Sequence, residues 1–244
     1  MIKNEVLICD VNDFSDYRSL GRADLIVSDP PYGRIVSESW DKDFNANDYI
    51  EHAEHCEQLL KPGGSALIWG GIGKPNDRVF FKFLSEVEER TDLTIQNVIT
   101  WSKKRAYGKA NDYLFTREEL VWLTKGKPKT FNVPLLDELR GYEGYNKKYP
   151  AKSKFKRRTN VWTDITEVMR GKIHPCEKPE KLSEVIVRTH SNEGDLVLDL
   201  FAGSGNVSKV CKKLKRNSIA VEAIAEYAAQ ITEALEGDYE DQRL

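Results

Sequence analysis

The feature that most constrains this chain is the run Ser28-Asp29-Pro30-Pro31-Tyr32-Gly33. It directly follows Ala23-Asp24-Leu25-Ile26-Val27, an apolar stretch with the branched residues of a buried strand. Two consecutive prolines cannot donate backbone hydrogen bonds, so the strand must end at this point. Asp29 is therefore predicted to lie at the carboxyl end of a strand, which is the edge where open α/β sheets bind ligands.

The side chains of this turn are suited to holding a nucleobase. The Asp29 carboxylate and a proline carbonyl can accept both hydrogens of an exocyclic amino group, while the Tyr32 ring stacks on the base that carries it. A plain polar turn is the alternative, because Asp-Pro is a common turn starter. The aromatic residue directly after Asp-Pro-Pro favours the functional interpretation.

Length and composition are those of an ordinary globular protein. With 244 residues, of which 40% are hydrophobic and 31% charged, the chain can bury one full core. No apolar run reaches the roughly 18 residues of a membrane span, and the start of the chain does not resemble a signal peptide, so a cytoplasmic protein is expected. Cys9, Cys56, Cys176 and Cys211 are scattered without zinc-site spacing, which predicts reduced thiols and no metal site.

Hydrophobic periodicity predicts seven strands and at least five helices that alternate through most of the chain. The predicted strands are 6–10, 24–28, 65–70, 93–101, 120–123, 196–200 and 218–221, and the predicted helices are 47–60, 76–89, 179–190, 207–214 and 223–235. Such alternation is typical of an α/β fold in which helices cover both faces of a mostly parallel sheet.

A second candidate site is the late glycine-rich turn Asp199-Leu200-Phe201-Ala202-Gly203-Ser204-Gly205. It separates a predicted strand from a helix, where glycines allow a ligand to approach the backbone and the helix start offers amide donors. Glu222 ends the next strand, the position at which doubly wound nucleotide-binding folds hold a ribose diol. A tight turn without a ligand explains the glycines equally well, so the pattern alone leaves both interpretations open.

Three motifs resemble those of the DNA amino-methyltransferases, which methylate N6 of adenine or N4 of cytosine. Asp29-Pro30-Pro31-Tyr32 is similar to their catalytic motif, and Phe201-Ala202-Gly203-Ser204-Gly205 is similar to their S-adenosylmethionine-binding loop. His174-Pro175-Cys176-Glu177-Lys178-Pro179 resembles their His-Pro-Thr-Gln-Lys-Pro element, from which Cys176 and Glu177 depart. The catalytic motif precedes the cofactor motif, as in the beta group. The resemblance implies a Rossmann-like, seven-stranded, circularly rearranged methyltransferase sheet with a small basic insert.

The resemblance also implies which residues form the sites. The catalytic set is Asp29, Pro30, Pro31 and Tyr32. The set that binds S-adenosylmethionine is Asp10, Lys178, Asp199, Phe201, Ala202, Gly203, Ser204, Gly205 and Glu222. Within it, Lys178 is expected to contact the carboxylate of the cofactor, and Asp10 to lie near the adenine. An Asx-turn explains Asp10 equally well. No metal is implied.

The expected function is site-specific methylation of double-stranded DNA, as in restriction-modification systems. An aspartate before Pro-Pro-Tyr favours adenine N6 in the family, while cytosine N4 and an RNA base remain alternatives. A catalytically silent nucleic-acid-binding subunit is another alternative, which the intact motifs disfavour. An NAD-dependent oxidoreductase is disfavoured because Lys209 stands where a third glycine would be needed. No nuclease-like cluster stands out, so methylation without cleavage is expected.

Charge is unevenly distributed along the chain. Residues 126–160 carry ten Lys or Arg against three Asp or Glu, a net charge of +7, which leaves −9 for the remainder. The resemblance places target recognition in this segment, although a solvated loop is the alternative. The predicted DNA-contacting residues are Lys147, Lys148, Lys152, Lys154, Lys156, Arg157 and Arg158, with Lys103, Lys104, Arg105 and Lys109 extending the same surface.

Three regions follow from these motifs. Residues 1–125 are expected to form the catalytic half of one domain, 126–160 a basic target-recognition insert, and 161–244 the cofactor-binding half of the same domain. Dimerisation is common in the family, and the sequence leaves a homodimer open.

Overall fold

The structure, a computed structural model, describes residues 2–11, 13, 18–32, 44–73, 78–139, 153–172, 174 and 176–237. Within these ranges the chain forms an eight-stranded sheet, a separate two-stranded sheet and five helices. The strands are β1 Asn4–Ile8, β2 Ala23–Ser28, β3 Leu60–Gly70, β4 Leu93–Tyr107, β5 Phe115–Lys125, β6 Leu135–Leu139, β7 Phe155–Arg157, β8 Val161–Trp162, β9 Leu196–Asp199 and β10 Asn217–Glu222. The helices are α1 Ala46–Leu59, α2 Val79–Arg90, α3 Glu180–His190, α4 Asn206–Lys213 and α5 Ala225–Glu236.

The large sheet has the strand order β1-β10-β9-β2-β3-β5-β4-β8. The first five strands in this order run parallel to one another, whereas β5 is antiparallel to both of its neighbours. The pairing of β2 with β9 aligns Val27 with Asp199. Because both strands run in the same direction, the Asp-Pro-Pro-Tyr turn and the glycine-rich turn leave the sheet at the same edge.

Helices cover both faces of the sheet, as the alternating pattern predicts. Ile26 packs into a core cluster with the buried residues of α1 and α2, while its neighbours Leu25 and Val27 point into a second cluster with α3 and α4. Side chains alternate between the two faces of a strand, so β2 must be apolar at consecutive positions. That is why it appears in the sequence as an uninterrupted apolar run.

Several predicted boundaries were wrong. β3 begins at Leu60, so Lys61-Pro62-Gly63-Gly64 continues as a strand, whereas the sequence suggested only a helix end. β4 and β5 contain 15 and 11 residues and extend well beyond the predicted strands. The buried residues in their added parts, Glu119 and Thr124, are polar, so no buried apolar run marks these parts. β8 adds an eighth strand to the sheet, and the basic insert contains the antiparallel pair β6 and β7.

Gly205, the residue before α4, is expected to be essential for stability. Its φ is +71°, and an added Cβ would lie 2.7 Å from Cγ1 of Ile231, a branched side chain in the core. Gly194 has a similar φ of +83° but open space around it. Both alanine variants should carry backbone strain of about 1 kcal/mol, and Gly205→Ala should lose roughly a further 1–3 kcal/mol through overpacking. Urea unfolding measures the difference, and equal losses would show that Ile231 moves aside.

Candidate active site and cofactor cleft

The two motifs line one cleft of about 980 Å³. The residues from Asp29 to Tyr32 line it from the end of β2, while Gly203 and Ser204 line it from the end of β9. The backbone amide of Leu200 donates to the carbonyl of Val27 over 3.3 Å, which fastens the two strand ends together. The cleft therefore lies at the carboxyl edge of the sheet, as the two motifs predict.

A charged cluster lies in this cleft, and we call it the acid–lysine cluster: Asp29, Tyr32, Lys103, Glu118 and Lys178. The Tyr32 hydroxyl lies 2.9 Å from Asp29 Oδ1 and 3.0 Å from Glu118 Oε2. Lys178 Nζ donates to Asp29 Oδ2 and lies 3.3 Å from Glu118 Oε2. Lys103 Nζ donates to the other oxygen of Glu118. The cluster thus contains two carboxylates, two ammonium groups and one hydroxyl.

Lys178 is held among acidic side chains. The sequence resemblance assigned it to the cofactor carboxylate, and that assignment stays a prediction; in the structure its side chain is 14% exposed and lies between two acidic partners. Its ammonium group also lies 4.9 Å from the centre of the Trp69 ring and 5.2 Å from that of Tyr32. Lys178 is therefore a partner of the catalytic motif.

Glu118 belongs to the site although no sequence motif indicates a role for it. It lies on β5, where the antiparallel pairing places it opposite Trp101 on β4. Its neighbour Glu119 is directed elsewhere and accepts a hydrogen bond from Thr100 Oγ1 at 2.7 Å. Only the register of the two strands distinguishes these adjacent glutamates. Lys103, predicted as part of a DNA-contacting surface, is also held in the cluster.

Burial and charge set the protonation states in the cluster. Burial raises the pKa of Asp29, although Lys178 opposes this effect. Burial would also raise the pKa of Glu118, but Lys178 and Lys103 outweigh it and lower this pKa to about 2. The pKa of Tyr32 is raised well above its usual value by burial and by the two carboxylates. Glu118 is therefore ionised, and Tyr32 is a neutral hydrogen-bond donor.

Glu222, which also lines the cleft, is fixed at the end of β10. Its Oε2 accepts the amide hydrogen of Gly203 at 2.8 Å, and its Oε1 accepts that of Ile224 at 2.9 Å. Gly203 has a φ of +50°, and a Cβ there would come within 3.5 Å of the His174 ring. The glycine turn and the strand end thus form one rigid wall with an acidic side chain.

The other predicted cofactor residues occupy different environments. Asp199 is buried, and this burial, together with the nearby carboxylates of Asp29 and Glu222, raises its pKa to about 8. Asp10, Phe201 and Ala202 line the cleft. Gly205 packs against Ile231, so its lack of a side chain serves the core.

The predicted DNA-contacting residues divide into three groups. Lys147, Lys148 and Lys152 lie outside the described residues. Lys154, Lys156 and Arg157 are exposed; Lys156 pairs with Glu138 at 2.6 Å. Arg158 departs from the predicted DNA contact. Its guanidinium is buried and donates to both oxygens of Asp164, at 2.6 and 2.8 Å. An arginine enclosed in this way is not available to a phosphate group.

The described part of the chain contains no group of His, Cys, Asp and Glu residues arranged to hold a metal ion. Among the same residues, no helix is both long and apolar enough to cross a membrane.

Comparison with known proteins identifies the family. Residues 23–233 match the family model of the N6/N4 DNA methylases. The Type II methyltransferase M.HpaI of Haemophilus parainfluenzae is 32% identical over 233 residues, which cover 88% of this chain and 69% of the relative. The Type II methyltransferase M2.DpnII of Streptococcus pneumoniae is 30% identical over 244 residues, covering 89% and 84% of the two chains.

Solved structures agree with this assignment. The complex of M1.HpyAVI with S-adenosylmethionine superimposes with a TM-score of 0.68 at 25% identity, over 97% of this chain and 100% of that one. The cytosine-N4-specific PvuII DNA methyltransferase gives a TM-score of 0.71 at 17% identity, over 100% and 89% of the chains, and so shares the fold. The prediction of a Rossmann-like methyltransferase fold is confirmed. The chain is a member of the N6/N4 DNA methylase family, and S-adenosylmethionine is its cofactor.

Proposed function

We propose that this protein methylates N6 of an adenine within a short specific sequence of double-stranded DNA. The observation that supports this most directly is the shared cleft, which Asp29 and Tyr32 line together with Gly203 and Glu222. The aspartate before Pro-Pro-Tyr favours adenine over cytosine within the family. The target base must leave the duplex to reach the end of β2.

The cleft residues suit a cofactor with positive charge and a ribose. S-adenosylmethionine supplies a methyl group on a positively charged sulfonium. Glu222, held by two backbone amides, presents a carboxylate at the strand end where ribose hydroxyls are bound in related folds. Asp10 adds an acidic group to the lining of the cleft, Asp199 adds a carboxyl group whose pKa is raised to about 8 by burial, and Phe201 adds an aromatic surface. This set would hold the cofactor without using Lys178.

The acid–lysine cluster would prepare the amino group for transfer. Each oxygen of Asp29 has more than one acceptor site. The carboxylate can therefore keep its bonds to Tyr32 and Lys178 and still accept a hydrogen from the amine. With the Pro30 carbonyl accepting the second hydrogen, the nitrogen lone pair is directed away from the ring of the base. Fixed acceptors of this kind act mainly through position and electrostatics.

Glu118 and Lys178 are positioning residues in this proposal. Lys178 fixes one oxygen of Asp29, while Glu118 and Asp29 together hold the Tyr32 hydroxyl. The Tyr32 ring is thereby kept beside the carboxylate, where it can stack on an extruded base. The amine must lose one proton during the reaction, and Asp29, whose pKa is raised by burial, is suited to receive it.

The identity of the methylated base can be determined directly in DNA from cells that express this chain. Sequencing that detects modified bases should find N6-methyladenine at one short recognition sequence. N4-methylcytosine at such sites would contradict the adenine assignment. Labelled methyl transfer to purified RNA but not to DNA would contradict the DNA assignment, and an absence of transfer to either would contradict the enzymatic proposal.

Asp29→Asn should nearly abolish methyl transfer. The variant keeps the shape of the side chain but removes the charge and replaces one acceptor by a donor, so kcat should fall by about 10²–10³-fold or more. Cofactor affinity, measured by calorimetry, should stay close to that of the wild type. Asp92→Asn, a similar change at a position between α2 and β4, away from the cleft, is the control. Turnover near the wild-type value in Asp29→Asn would disprove the assignment.

The pH dependence of kcat/KM should show the effect of Glu118 and Lys178 on the pKa of Asp29. Activity requires ionised Asp29, so it should fall as the pH drops through the pKa of that group, which is raised by burial. The charge of Glu118 raises the same pKa, so Glu118→Gln should move the acidic limb to lower pH. Lys178→Met should move it to higher pH, because Lys178 lowers the pKa of Asp29. Each shift should be on the order of 1 pH unit. If the acidic limb of the profile lies at the same pH in both variants as in the wild type, this electrostatic role of Glu118 and Lys178 is excluded.

The exposed basic residues of the insert should contribute to DNA binding. Lys156→Glu with Arg157→Glu should weaken binding and reduce the slope of log affinity against log salt by about 0.9 for each phosphate that is no longer neutralised. Arg158→Gln should instead lower the free energy of unfolding, because Arg158 is buried against Asp164. Filter binding at several salt concentrations and urea unfolding distinguish the two effects. An unchanged salt slope in the double variant would show that Lys156 and Arg157 do not contact DNA phosphates.

A further inference from the structure

A long hairpin extends beyond the sheet at the mouth of the cleft. β4 and β5 pair at Ser102 and Arg117 and again at Tyr107 and Phe115 near the turn, and between these two pairs β4 carries four residues opposite one on β5. We call residues 103–117 the β4–β5 arm. The two pairs are two residues apart on β5, which corresponds to about 7 Å along the hairpin at the usual rise of a strand. Every residue from 104 to 115 is exposed, so the arm contributes little to the core.

The base of the arm is nevertheless fixed in place. The carboxylate of Glu167 accepts the backbone amide hydrogens of Lys104 and Arg105, at 2.8 and 2.7 Å. On the opposite strand, the Thr116 hydroxyl donates to the carbonyl of Lys103 at 2.6 Å. These bonds hold the arm beside the cleft. Accordingly, Arg105 and Lys109 line the same cleft as Asp29.

The composition of the arm is unusual for an exposed segment. Its exposed residues 104–115 carry three Lys or Arg and one Asp, in a protein whose net charge is −2. It also exposes four large apolar side chains: Tyr107 at 61%, Tyr113 at 95%, Leu114 at 59% and Phe115 at 43%. Exposed apolar groups concentrated in one place indicate an interaction site. Cations combined with aromatic rings match a partner that has phosphates outside and base faces inside, which is nucleic acid.

Tyr113 is the side chain best placed to enter a base stack. It lies in the turn of the arm, and its backbone amide donates to Asp112 Oδ1 at 2.8 Å, which orders the backbone before it. Leu114 packs against Gly108 across the turn: a Cβ on that glycine would lie 3.0 Å from Leu114 Cδ2. The leucine therefore supports the turn, while the tyrosine ring is almost fully exposed.

We propose that the β4–β5 arm enters the DNA at the target and that the ring of Tyr113 fills the place of the extruded base. Arg105 and Lys109 contact the flanking phosphates. Extrusion leaves a gap in the stack and costs a few kcal/mol. An inserted side chain recovers part of this cost, as apolar wedges do in other DNA-bending proteins. The inference rests on the proposed function, because only an enzyme that extrudes a base needs the gap filled.

The test compares two duplexes that contain the recognition sequence found by methylome sequencing. In one, the target adenine is paired normally. In the other, it lies opposite an abasic site, so that extrusion is already easy. Tyr113→Ala should lower kcat/KM about tenfold or more on the paired duplex and by much less on the abasic duplex. Tyr113→Phe keeps the ring and should behave like the wild type on both.

Phe81→Ala is the matched control, since Phe81 is an exposed aromatic residue on α2 at 49% exposure. It should leave both rates unchanged. Cofactor affinity, which depends on residues on the other side of the cleft, reports whether Tyr113→Ala is folded. For the cations, Arg105→Gln with Lys109→Gln should reduce the salt slope of duplex binding by about 0.9 for each phosphate left without its cation.

Three outcomes would overturn the proposal. They are equal losses for Tyr113→Ala on the two duplexes, no loss on either, or a change only in sedimentation behaviour, which would make the arm a contact between copies of the chain. A wild-type protein that binds DNA and cofactor but transfers no methyl group would instead contradict the proposed function. The two failures are therefore distinguishable.

Discussion

The pairing of β2 with β9 is the interaction on which the rest of the structure depends. It joins the strand that ends in Ser28, directly before Asp29, to the strand that ends in Asp199, although the two lie far apart in the chain. β9 and β10 lie between β2 and β1, so strands of the cofactor half are enclosed by strands of the catalytic half. The two regions inferred from the sequence therefore contribute strands to one sheet, which neither can complete without the other. The cleft exists only once this long-range pairing has formed.

The acid–lysine cluster shows how the sheet is used for chemistry. Its members come from the end of β2, from β4 and β5, and from the segment before α3, so its charges are supplied by distant parts of the chain. Two carboxylates removed from water would repel each other strongly, and the two ammonium groups offset that repulsion. The arrangement keeps Glu118 ionised while leaving Asp29 a stronger proton acceptor than an exposed aspartate would be.

The sequence predicted those features that depend on local patterns. Strands buried on both faces appear as continuous apolar runs, and the residues that follow them must lie at the ligand-binding edge, so Asp29 and Gly203 could be placed in advance. The role of Glu118 could not, because it depends on the register of two antiparallel strands. Arg158 was misassigned because nothing nearby in the sequence separates an arginine enclosed by Asp164 from one that faces solvent. The full length of β4 and β5 was missed because the residues at their ends include no buried apolar side chain.

β5 connects the hairpin, the cleft and the core of the molecule. The same strand carries Phe115 near the tip of the hairpin, Glu118 in the cleft and Leu120 in the core. A strand is nearly inextensible, with a fixed rise of about 3.3 Å per residue. A pull on the hairpin along its axis is therefore transmitted along β5 from Phe115 to Glu118, although the facing strand β4 is irregular between Ser102 and Tyr107. If the hairpin engages the duplex as proposed, that contact and the position of Glu118 are mechanically linked through a single length of backbone.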